Sequence, residues 1–313
     1  MVVYLARTSS SEHSADVYEK WSEIVQTDLV RAHSVTDNPE KADLVLIVDV
    51  ASDTDPLSWR LRTHPIWKKG YKNILAYDER DWPRDPLAGL VVSLPQSLHQ
   101  AAIHRAAPYF RTVQNFQQPL GGQPDLLFSF IGATSHPLRE RIFALSHPRG
   151  MVLRSGVNYF DETPSAEVIQ KQEEQKRVYR EMMERSKFVL CPRGEGLSSF
   201  RTYEVMAAGR VPVIIADGWL PPQGTAWKDF ALFIPESEIE NIPFILEQHE
   251  PQFDTMAQAA RAAFEETYAP TKIFNHLINL CSELIPVKKN SIWYRFPPKL
   301  AARALRHKII KRR

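Results

Sequence analysis

Cysteine is scarce in this sequence of 313 residues, which contains two, Cys191 and Cys281. Cys191 falls in an apolar run that reads as a buried strand, so we do not expect a disulfide framework. No apolar stretch approaches the length that crosses a membrane, and the apolar run at the N-terminus is far too short for a signal peptide. The net charge is only +2, which argues against strong attraction to nucleic acid. We therefore expect a globular protein in a reducing, cytoplasmic compartment.

Strand-like and helix-like segments alternate in the first third of the chain. The sequence predicts strands at 2–6, 42–50, 73–77 and 90–93. Helices are predicted at 14–31, 59–69 and 97–107. Strand 42–50 (ADLVLIVDV) is continuous, branched and apolar, as buried parallel strands are. This alternation indicates a doubly wound parallel sheet, and a polar stretch at 114–124 predicts a linker that follows a first domain at 1–120.

The alternation restarts after the linker and predicts a second domain at 125–285. Its predicted strands lie at 125–131, 151–154, 187–191, 211–215 and 230–234. Its predicted helices lie at 136–146, 165–185, 198–208, 236–248, 252–268 and 270–284. The fold class is thus α/β, and two such domains would leave a cleft between them.

Residues 186–222 (SKFVLCPRGEGLSSFRTYEVMAAGRVPVIIADGWLPP) form the most informative stretch. A buried strand leads into a glycine-bearing loop, and Ser198 and Ser199 then stand where a helix N-cap is wanted. Strand, loop, helix and second strand make a βαβ unit, whose helix N-terminus suits an anion. Arg193 and Arg201 add full positive charges at the same end, so we predict a phosphate site here.

This stretch resembles, over its full extent, the signature of exostosin-family glycosyltransferases (family 47). Two upstream segments are also similar to that family: LLFSFIGATSHPLRERI, at 126–142, and NILAYDERDWPRDPLAGLVVSLP, at 73–95. The resemblance covers roughly residues 40–270. It implies a GT-B architecture, in which two Rossmann-like domains face a central cleft. It also implies inverting transfer from a nucleotide sugar, UDP-linked by family habit and usually without a bound metal.

The chemistry of such a transfer requires that a leaving diphosphate be stabilised, which helix N–H groups and arginines can do. The predicted donor-binding residues are Arg139, Arg193, Gly194, Ser198, Ser199, Arg201 and Glu204. By resemblance, Arg139 is a third arginine and Glu204 accepts hydrogen bonds from the ribose hydroxyls. The open alternative is that Arg201 and Glu204 form a surface ion pair at i,i+3 spacing and that the glycines only make turns.

An inverting displacement also needs a general base that takes the acceptor hydroxyl's proton. We expect it in the N-terminal half, on a loop after a strand. Asp78 and Glu79 are the candidates, because the family's acidic loop lies there. Asp49, Asp53 and Asp55, at the end of strand 42–50 and after it, fit the same description. The alternative is that the carboxylates at 78–81 only pair with the arginines of their own loop.

We expect no metal or other cofactor, with one alternative. Asp53 and Asp55 form a DxD pattern, through which metal-dependent transferases of the GT-A class hold a divalent cation. The ten histidines include no pair at i,i+4 spacing with a third ligand nearby, so zinc has no support. Trp219 and Trp227 either stack on a sugar or uracil or pack a loop, and the sequence leaves both open.

From residue 286 to 313 the chain contains no acidic residue. This basic amphipathic tail suits an anionic membrane surface, and a solvated tail is the alternative. We expect a bacterial-type glycosyltransferase, cytoplasmic or peripheral at the inner face of the cell membrane. Its partners would be a nucleotide-sugar donor and a glycan or lipid-linked acceptor in surface polysaccharide or lipopolysaccharide synthesis, with no nucleic acid. The alternative is a non-catalytic sugar-nucleotide-binding partner of another glycosyltransferase.

Overall fold

In a computed structural model the chain folds into two compact units. The structure describes residues 1–50, 65–67, 71, 73–81, 83, 87–110, 119–156 and 165–288. The first unit comprises residues 1–109, 218–224 and 267 onward, and the second comprises 110–217 and 225–266. The predicted positions Asp53 and Asp55, the predicted helix 59–69 apart from a 3-10 turn at Pro65–Trp67, and the tail from 289 onward lie outside the described residues.

The first unit contains a six-stranded parallel sheet of order β2-β1-β3-β4-β5-β6. Its strands are β1 (Val2–Ala6), β2 (Ser34–Val35), β3 (Leu44–Val50), β4 (Ile74–Asp78), β5 (Gly89–Val91) and β6 (His104–Ala106). Helix α1 (Glu12–Thr27) follows β1, and its N-cap Ser11 accepts a hydrogen bond from the Ser14 N–H. Every residue of β3 is buried, which explains its continuous apolar run.

The second unit contains a five-stranded parallel sheet of order β11-β10-β9-β7-β8. Its strands are β7 (Leu126–Gly132), β8 (Gly150–Arg154), β9 (Ser186–Pro192), β10 (Val211–Ile215) and β11 (Leu232–Phe233). Its helices are α2 (Leu138–Phe143), α3 (Ala166–Arg185), α4 (Phe200–Ala207), α5 (Ile242–His249) and α6 (Phe253–Ala263). Its core includes buried side chains from β7, β9, β10, α2, α5 and α6. A π-helical turn, Phe264–Tyr268, follows α6.

Both sheets are doubly wound in the same way. In each, the first strand in sequence lies between the second and the third, so the chain changes direction beside the first strand. The predicted α/β class with two Rossmann-like units is therefore confirmed. Where the winding reverses, the loops that leave neighbouring strands diverge and open a crevice at the carboxyl ends of the strands.

The last helix, α7 (Ile273–Lys288), belongs to the first unit, whereas the sequence assigned residues up to 285 to the second domain. Contacts of this C-terminal segment with other residues of the first unit explain the difference. The Leu29 N–H donates to the Thr271 carbonyl at 2.9 Å, and Arg105 pairs with Glu283 at 2.8 Å. Among the described helices, none is both long enough and apolar enough to cross a bilayer.

The predicted helix at 97–107 is wrong. A 3-10 turn, Gln96–Leu98, is followed by β6, which pairs with β5 in parallel register. The Ala107 N–H donates to the Val91 carbonyl at 3.0 Å, so the sheet supplies the hydrogen bonds that a helix would have made locally. Helix α1 also ends four residues earlier than predicted, because Asp28 accepts from the Arg31 N–H at 2.9 Å and closes a turn there.

Candidate functional site

The switch point of the second sheet lies between the carboxyl ends of β7 and β9. From β7 the chain crosses over to β8 on one side, and from β8 it returns to β9 on the other side of β7. The loop after β7 spans residues 133–137, and the loop after β9 spans 193–199. These two loops contain most of the residues that the sequence predicted for phosphate binding, because carboxyl ends of parallel strands share one edge of the sheet.

Arg139, at the second position of α2, joins the two loops. Its Nε donates to the Arg193 carbonyl at 3.0 Å, and its Nη1 donates to the Ala133 carbonyl at 3.0 Å. Its Nη2 donates to the Pro192 carbonyl at 3.2 Å. Burial, with a further contribution from the charge of Arg201, lowers the pKa of Arg139 to about 10, so the side chain stays cationic at neutral pH. Arg139 therefore both positions the loops and adds positive charge.

Gly194 leaves room for this arrangement. A Cβ at this position would lie 3.1 Å from the Ser135 Oγ and 3.3 Å from the Arg139 Nη2. A side chain would thus press on the guanidinium that holds the loops together. Gly209, just after α4, is required for a different reason: its φ of +68° is the left-handed conformation that often ends a helix.

Arg193 is buried, with 8% of its surface exposed. Its Nη2 donates to the Glu195 carbonyl at 2.9 Å, and its Nη1 lies 4.0 Å from the Glu236 Oε1. Burial lowers the pKa of Arg193, and the carboxylates of Glu236 and Asp217 act in the opposite direction. The guanidinium is thus held at the loop by backbone carbonyls, with one carboxylate at the limit of ion-pair distance.

Arg201, on the first turn of α4, is 8% exposed. Its Nη2 donates to the Ile131 carbonyl at the end of β7. Its Cζ lies 4.8 Å from the Phe130 ring centroid and 5.6 Å from that of Tyr179. Among the described residues, the buried Nε has no hydrogen-bond acceptor. The predicted alternative of an ion pair with Glu204 is not observed within this part of the chain.

Glu204 is also buried, with 2% of its surface exposed. Its Oε2 accepts a hydrogen bond from the Tyr179 hydroxyl at 2.7 Å. Burial first, and then the Glu204 charge, raises the pKa of Tyr179 well above its usual value, so the hydroxyl keeps its proton and acts as a donor. The role of Glu204 toward a ribose stays a prediction.

The two serines differ in their surroundings. Ser198 is 6% exposed. Ser199 is the N-cap of α4, but its side chain makes no capping hydrogen bond. Its carbonyl accepts from the Thr202 N–H at 3.1 Å, so the backbone alone starts the helix. The Ser199 hydroxyl is therefore not used by the helix, and ligand binding by either serine stays a prediction.

Of the general-base candidates in the first unit, Asp78 is completely buried, at 0% exposure. Its Oδ1 accepts from the Arg80 Nε at 2.9 Å, and its Oδ2 accepts from the Arg80 Nη2 at 2.7 Å. The alternative of pairing within the loop is thus realised for Asp78, though in a buried pair. Glu79 is 6% exposed and stays a candidate, with Asp78 the weaker of the two in this conformation.

Asp49, considered as another base, holds the loop after β1. Its Oδ2 accepts from the N–H groups of Thr8, at 2.8 Å, and Ser9, at 2.9 Å. The hydroxyls of Ser14, at 2.8 Å, and Thr8, at 2.9 Å, complete the set. These bonds satisfy the buried carboxylate of Asp49 and give it a structural role, which is to hold the loop after β1.

Both tryptophans pack in loops. Trp219 is 3% exposed, and its Nε1 lies 3.4 Å from the Val92 carbonyl to which it donates. Trp227 is 7% exposed and lies 5.2 Å from the ring of Phe230 and 6.3 Å from that of Tyr203. Of the two readings that the sequence left open, the structure favours packing.

Sequence reasoning missed His136, which lies in the loop after β7. Burial first, and then the charge of Arg193, lowers the pKa of His136. The spacing of the histidines tests only for zinc ligands, and within the described part of the chain His136 belongs to no cluster of metal-ligating residues. The position of His136 could have revealed it, because the residue lies inside the segment 126–142, between the glycine that ends the strand and the arginine that follows.

Two doubly wound parallel sheets, one with buried arginines at its switch point, define a protein of the Rossmann-like class. The model of the exostosin GT47 domain matches residues 7–249 of the chain. The chain therefore belongs to the exostosin GT47 family of glycosyltransferases, as its sequence signature indicated, and its two sheets correspond to the GT-B architecture.

Individual relatives match over shorter stretches. A probable glycosyltransferase of Arabidopsis thaliana is 36% identical over 76 residues, which are 24% of this chain and 15% of that protein. Exostosin-1 of Drosophila melanogaster is 28% identical over 167 residues, covering 50% of this chain and 22% of that protein. The matches thus span less than a quarter of these relatives. A crystal structure of Anabaena HepE in complex with UDP superposes with a TM-score of 0.46 at 10% identity, over 90% of this chain and 100% of that one.

Proposed function

We propose that this chain transfers a sugar, with inversion, from a UDP-linked donor to a glycan or glycolipid acceptor in surface polysaccharide or lipopolysaccharide synthesis. Family membership supports transfer from a nucleotide sugar. The observation that carries the proposal is Arg201, a guanidinium that is 8% exposed and whose Nε has no acceptor among the described residues.

A buried cation needs a counter-charge, because removing a charge from water costs several kcal/mol unless it is paired. Most buried arginines obtain partners within their own protein. Within the described part of the chain, Arg201 instead contacts one carbonyl, from Ile131, and two aromatic rings. A diphosphate placed beside it would supply the missing negative charge and accept from the Nε.

The roles follow from position. Arg193 and Arg201 would bind the diphosphate and stabilise the negative charge that develops on it as the glycosidic bond breaks. Arg139 would hold the two loops at the right separation, since each of its three nitrogens donates to a carbonyl of these segments. The remaining assignments are proposals from the sequence: the hydroxyls of Ser198 and Ser199 on phosphate, and Glu204 on the ribose.

We propose that the reaction does not depend on a metal. The arginines provide the charge that a divalent cation would otherwise supply. The alternative, a cation held by Asp53 and Asp55, involves residues outside the described part of the chain. Chelation distinguishes the two, because arginine-bound diphosphate is insensitive to EDTA.

The decisive experiment is calorimetric titration of the protein with UDP, GDP, CMP and NAD, each with and without EDTA. The expected result is UDP binding in the micromolar range that survives EDTA and is lost in Arg193→Ala. Binding that requires a divalent ion would instead favour the alternative in which Asp53 and Asp55 hold a cation. Absence of binding by every nucleotide would refute donor binding altogether.

The second candidate function is a non-catalytic partner that binds the sugar nucleotide for another transferase. The full burial of Asp78 and its pairing with Arg80 favour it, because a general base must reach the acceptor hydroxyl. Turnover of UDP-sugars by the purified chain would exclude this candidate. UDP binding without turnover for any donor and acceptor pair would support it.

The acceptor side and the location are proposals from the sequence. We propose that the basic tail at 286–313 brings the protein to an anionic membrane, where a lipid-linked acceptor lies. Co-sedimentation of the full chain with vesicles of phosphatidylglycerol, compared with phosphatidylcholine, tests this. Equal binding to both, or to neither, would contradict it.

A further inference from the structure

His136 lies in the loop that joins β7 to α2, at the switch point of the second sheet. This loop touches the loop after β9: Arg139 donates to carbonyls in both, and the Ser135 Oγ would be 3.1 Å from a Cβ at Gly194. The imidazole therefore lies beside the arginines of the candidate donor site, whose charges act on it.

The hydrogen bond at Nδ1 of His136 determines which tautomer the neutral ring adopts. The Leu138 N–H donates to the His136 Nδ1 at 3.3 Å, so Nδ1 carries the lone pair and the single hydrogen of the neutral ring is on Nε2. Among the described residues, none accepts a hydrogen bond from this Nε2. The ring is half-buried, so one directed donor is available at the edge of the site.

Burial first, and then two neighbouring arginines, favour the neutral ring, while the carboxylate of Glu236 acts in the opposite direction. Arg193 faces it from the loop after β9 and Arg139 from α2, while Glu236 faces it from the turn that follows β11. Burial is the largest cause that lowers the pKa of His136, and Arg193 is the next. Protonation of Nδ1 would also set its hydrogen against the Leu138 N–H, so an arriving anion meets a neutral donor.

We propose that the neutral His136 donates its Nε2 hydrogen to a phosphate oxygen of the nucleotide-sugar diphosphate, beside Arg193. This inference rests on the proposed function and adds to the site a hydrogen-bond donor that is directional but uncharged. The bond is charge-assisted on the acceptor side only, which makes it stronger than a bond between neutral groups.

The test compares His136→Phe, His136→Gln and a matched control by calorimetric titration with UDP and with inorganic pyrophosphate. Phe removes the donor and keeps a ring. The side-chain amide of Gln places an N–H near the position of Nε2, without titrating. We expect the Kd of His136→Phe to rise about 10- to 100-fold, the usual effect of losing a hydrogen bond to a charged group. His136→Gln should stay within about threefold of wild type by the same reasoning.

His147 supplies the control. Its Nδ1 also accepts from the N–H two residues on, that of Arg149, at 3.1 Å. Its Nε2 lies 3.1 Å from the Glu247 Oε1, at the opposite, amino-terminal edge of the sheet. His147→Gln should therefore leave both affinities unchanged. A rise in Kd for this variant equal to that of His136→Phe would overturn the inference, because the effect would then not be local.

Long-range ¹H–¹⁵N spectra of the histidine rings test the tautomer in the full chain. The His136 ring should show a protonated Nε2 and an unprotonated Nδ1, with the Nε2 signal shifting when UDP binds. A proton on Nδ1 in the complex would overturn the neutral-donor assignment, as would a His136→Gln variant as weak as His136→Phe. If wild type binds UDP and Arg193→Ala does not, yet His136→Phe binds normally, only this inference fails. If wild type binds neither probe, the proposed function fails with it.

Discussion

Replacement of Arg201 by Met should weaken donor binding strongly while leaving the free protein nearly as stable as wild type. Met has a similar length and packs against aromatic rings. The substitution removes one hydrogen bond, to the Ile131 carbonyl, and the two ring contacts with Phe130 and Tyr179. It also removes the cost of a buried guanidinium whose Nε has no acceptor in the described part of the chain.

The favourable contacts that Arg201 makes and the cost of burying its guanidinium are of similar size. A hydrogen bond from a charged group contributes about 1.5–3 kcal/mol, and each ring contact of a desolvated cation contributes about 1–2 kcal/mol. Against these stand about 1–3 kcal/mol for the buried Nε and several kcal/mol for burying the charge. We therefore expect the free energy of unfolding to change by no more than about 1–2 kcal/mol, a shift in Tm of only a few degrees.

Donor binding should respond quite differently. Removing one member of a buried charge pair across an interface costs about 2–5 kcal/mol. The Kd for UDP should consequently rise at least about 30-fold. Differential scanning calorimetry of the free protein and calorimetric titration with UDP measure the two quantities separately.

Arg210 provides a matched control, because it is another buried arginine of the same unit, 5% exposed. Its guanidinium donates to five backbone carbonyls, those of Met183, Glu184, Leu120, Gly121 and Gly209. Arg210→Met should lower stability by several kcal/mol, since each of these carbonyls loses a hydrogen-bond donor. UDP that binds Arg201→Met within threefold of wild type would refute the assignment of Arg201 to the ligand. So would a loss of stability as large as that of Arg210→Met, which would make Arg201 a structural residue.

Three further predictions concern other positions. Glu79→Gln should reduce turnover at least about 100-fold, as loss of a general base does, with the Kd for UDP unchanged by titration; undiminished turnover would remove Glu79 from the mechanism. Gly194→Ala should weaken UDP binding about tenfold, as loss of one charge-assisted bond does, because its Cβ would lie 3.3 Å from the Arg139 Nη2; equal binding would show that the loop adapts. Hydrogen bonds from Arg149 first, and then Lys187, lower the pKa of Glu250 to about 2. The stabilising contribution of Glu250 is therefore fully present above the unfolded pKa of about 4.5, and it is lost as the pH falls toward 2. Thermal unfolding of Glu250→Gln should accordingly depend less on pH between about 4.5 and 2 than that of wild type, and identical pH profiles would contradict the pairing.

Local patterns in the sequence were sufficient for most of the strands. The continuous apolar runs of β3 and β9 predict buried parallel strands, and the loop between β9 and α4 predicts a phosphate site from glycines and arginines alone. The strand predictions are confirmed, because the burial of a strand is recorded in the pattern of neighbouring residues along the chain. The phosphate site stays a prediction. The resemblance carried by residues 186–222 then identified the family.

Tertiary structure decided the residues whose environment comes from distant parts of the chain. Residues 97–107 form β6 rather than a helix, because pairing with β5 outweighs local propensity. Helix α7 joins the first unit through contacts with residues near the N-terminus, which no local pattern records. Asp78 and His136 show the same limit within the candidate sites: the burial of one and the charges around the other are set by side chains that only folding brings together.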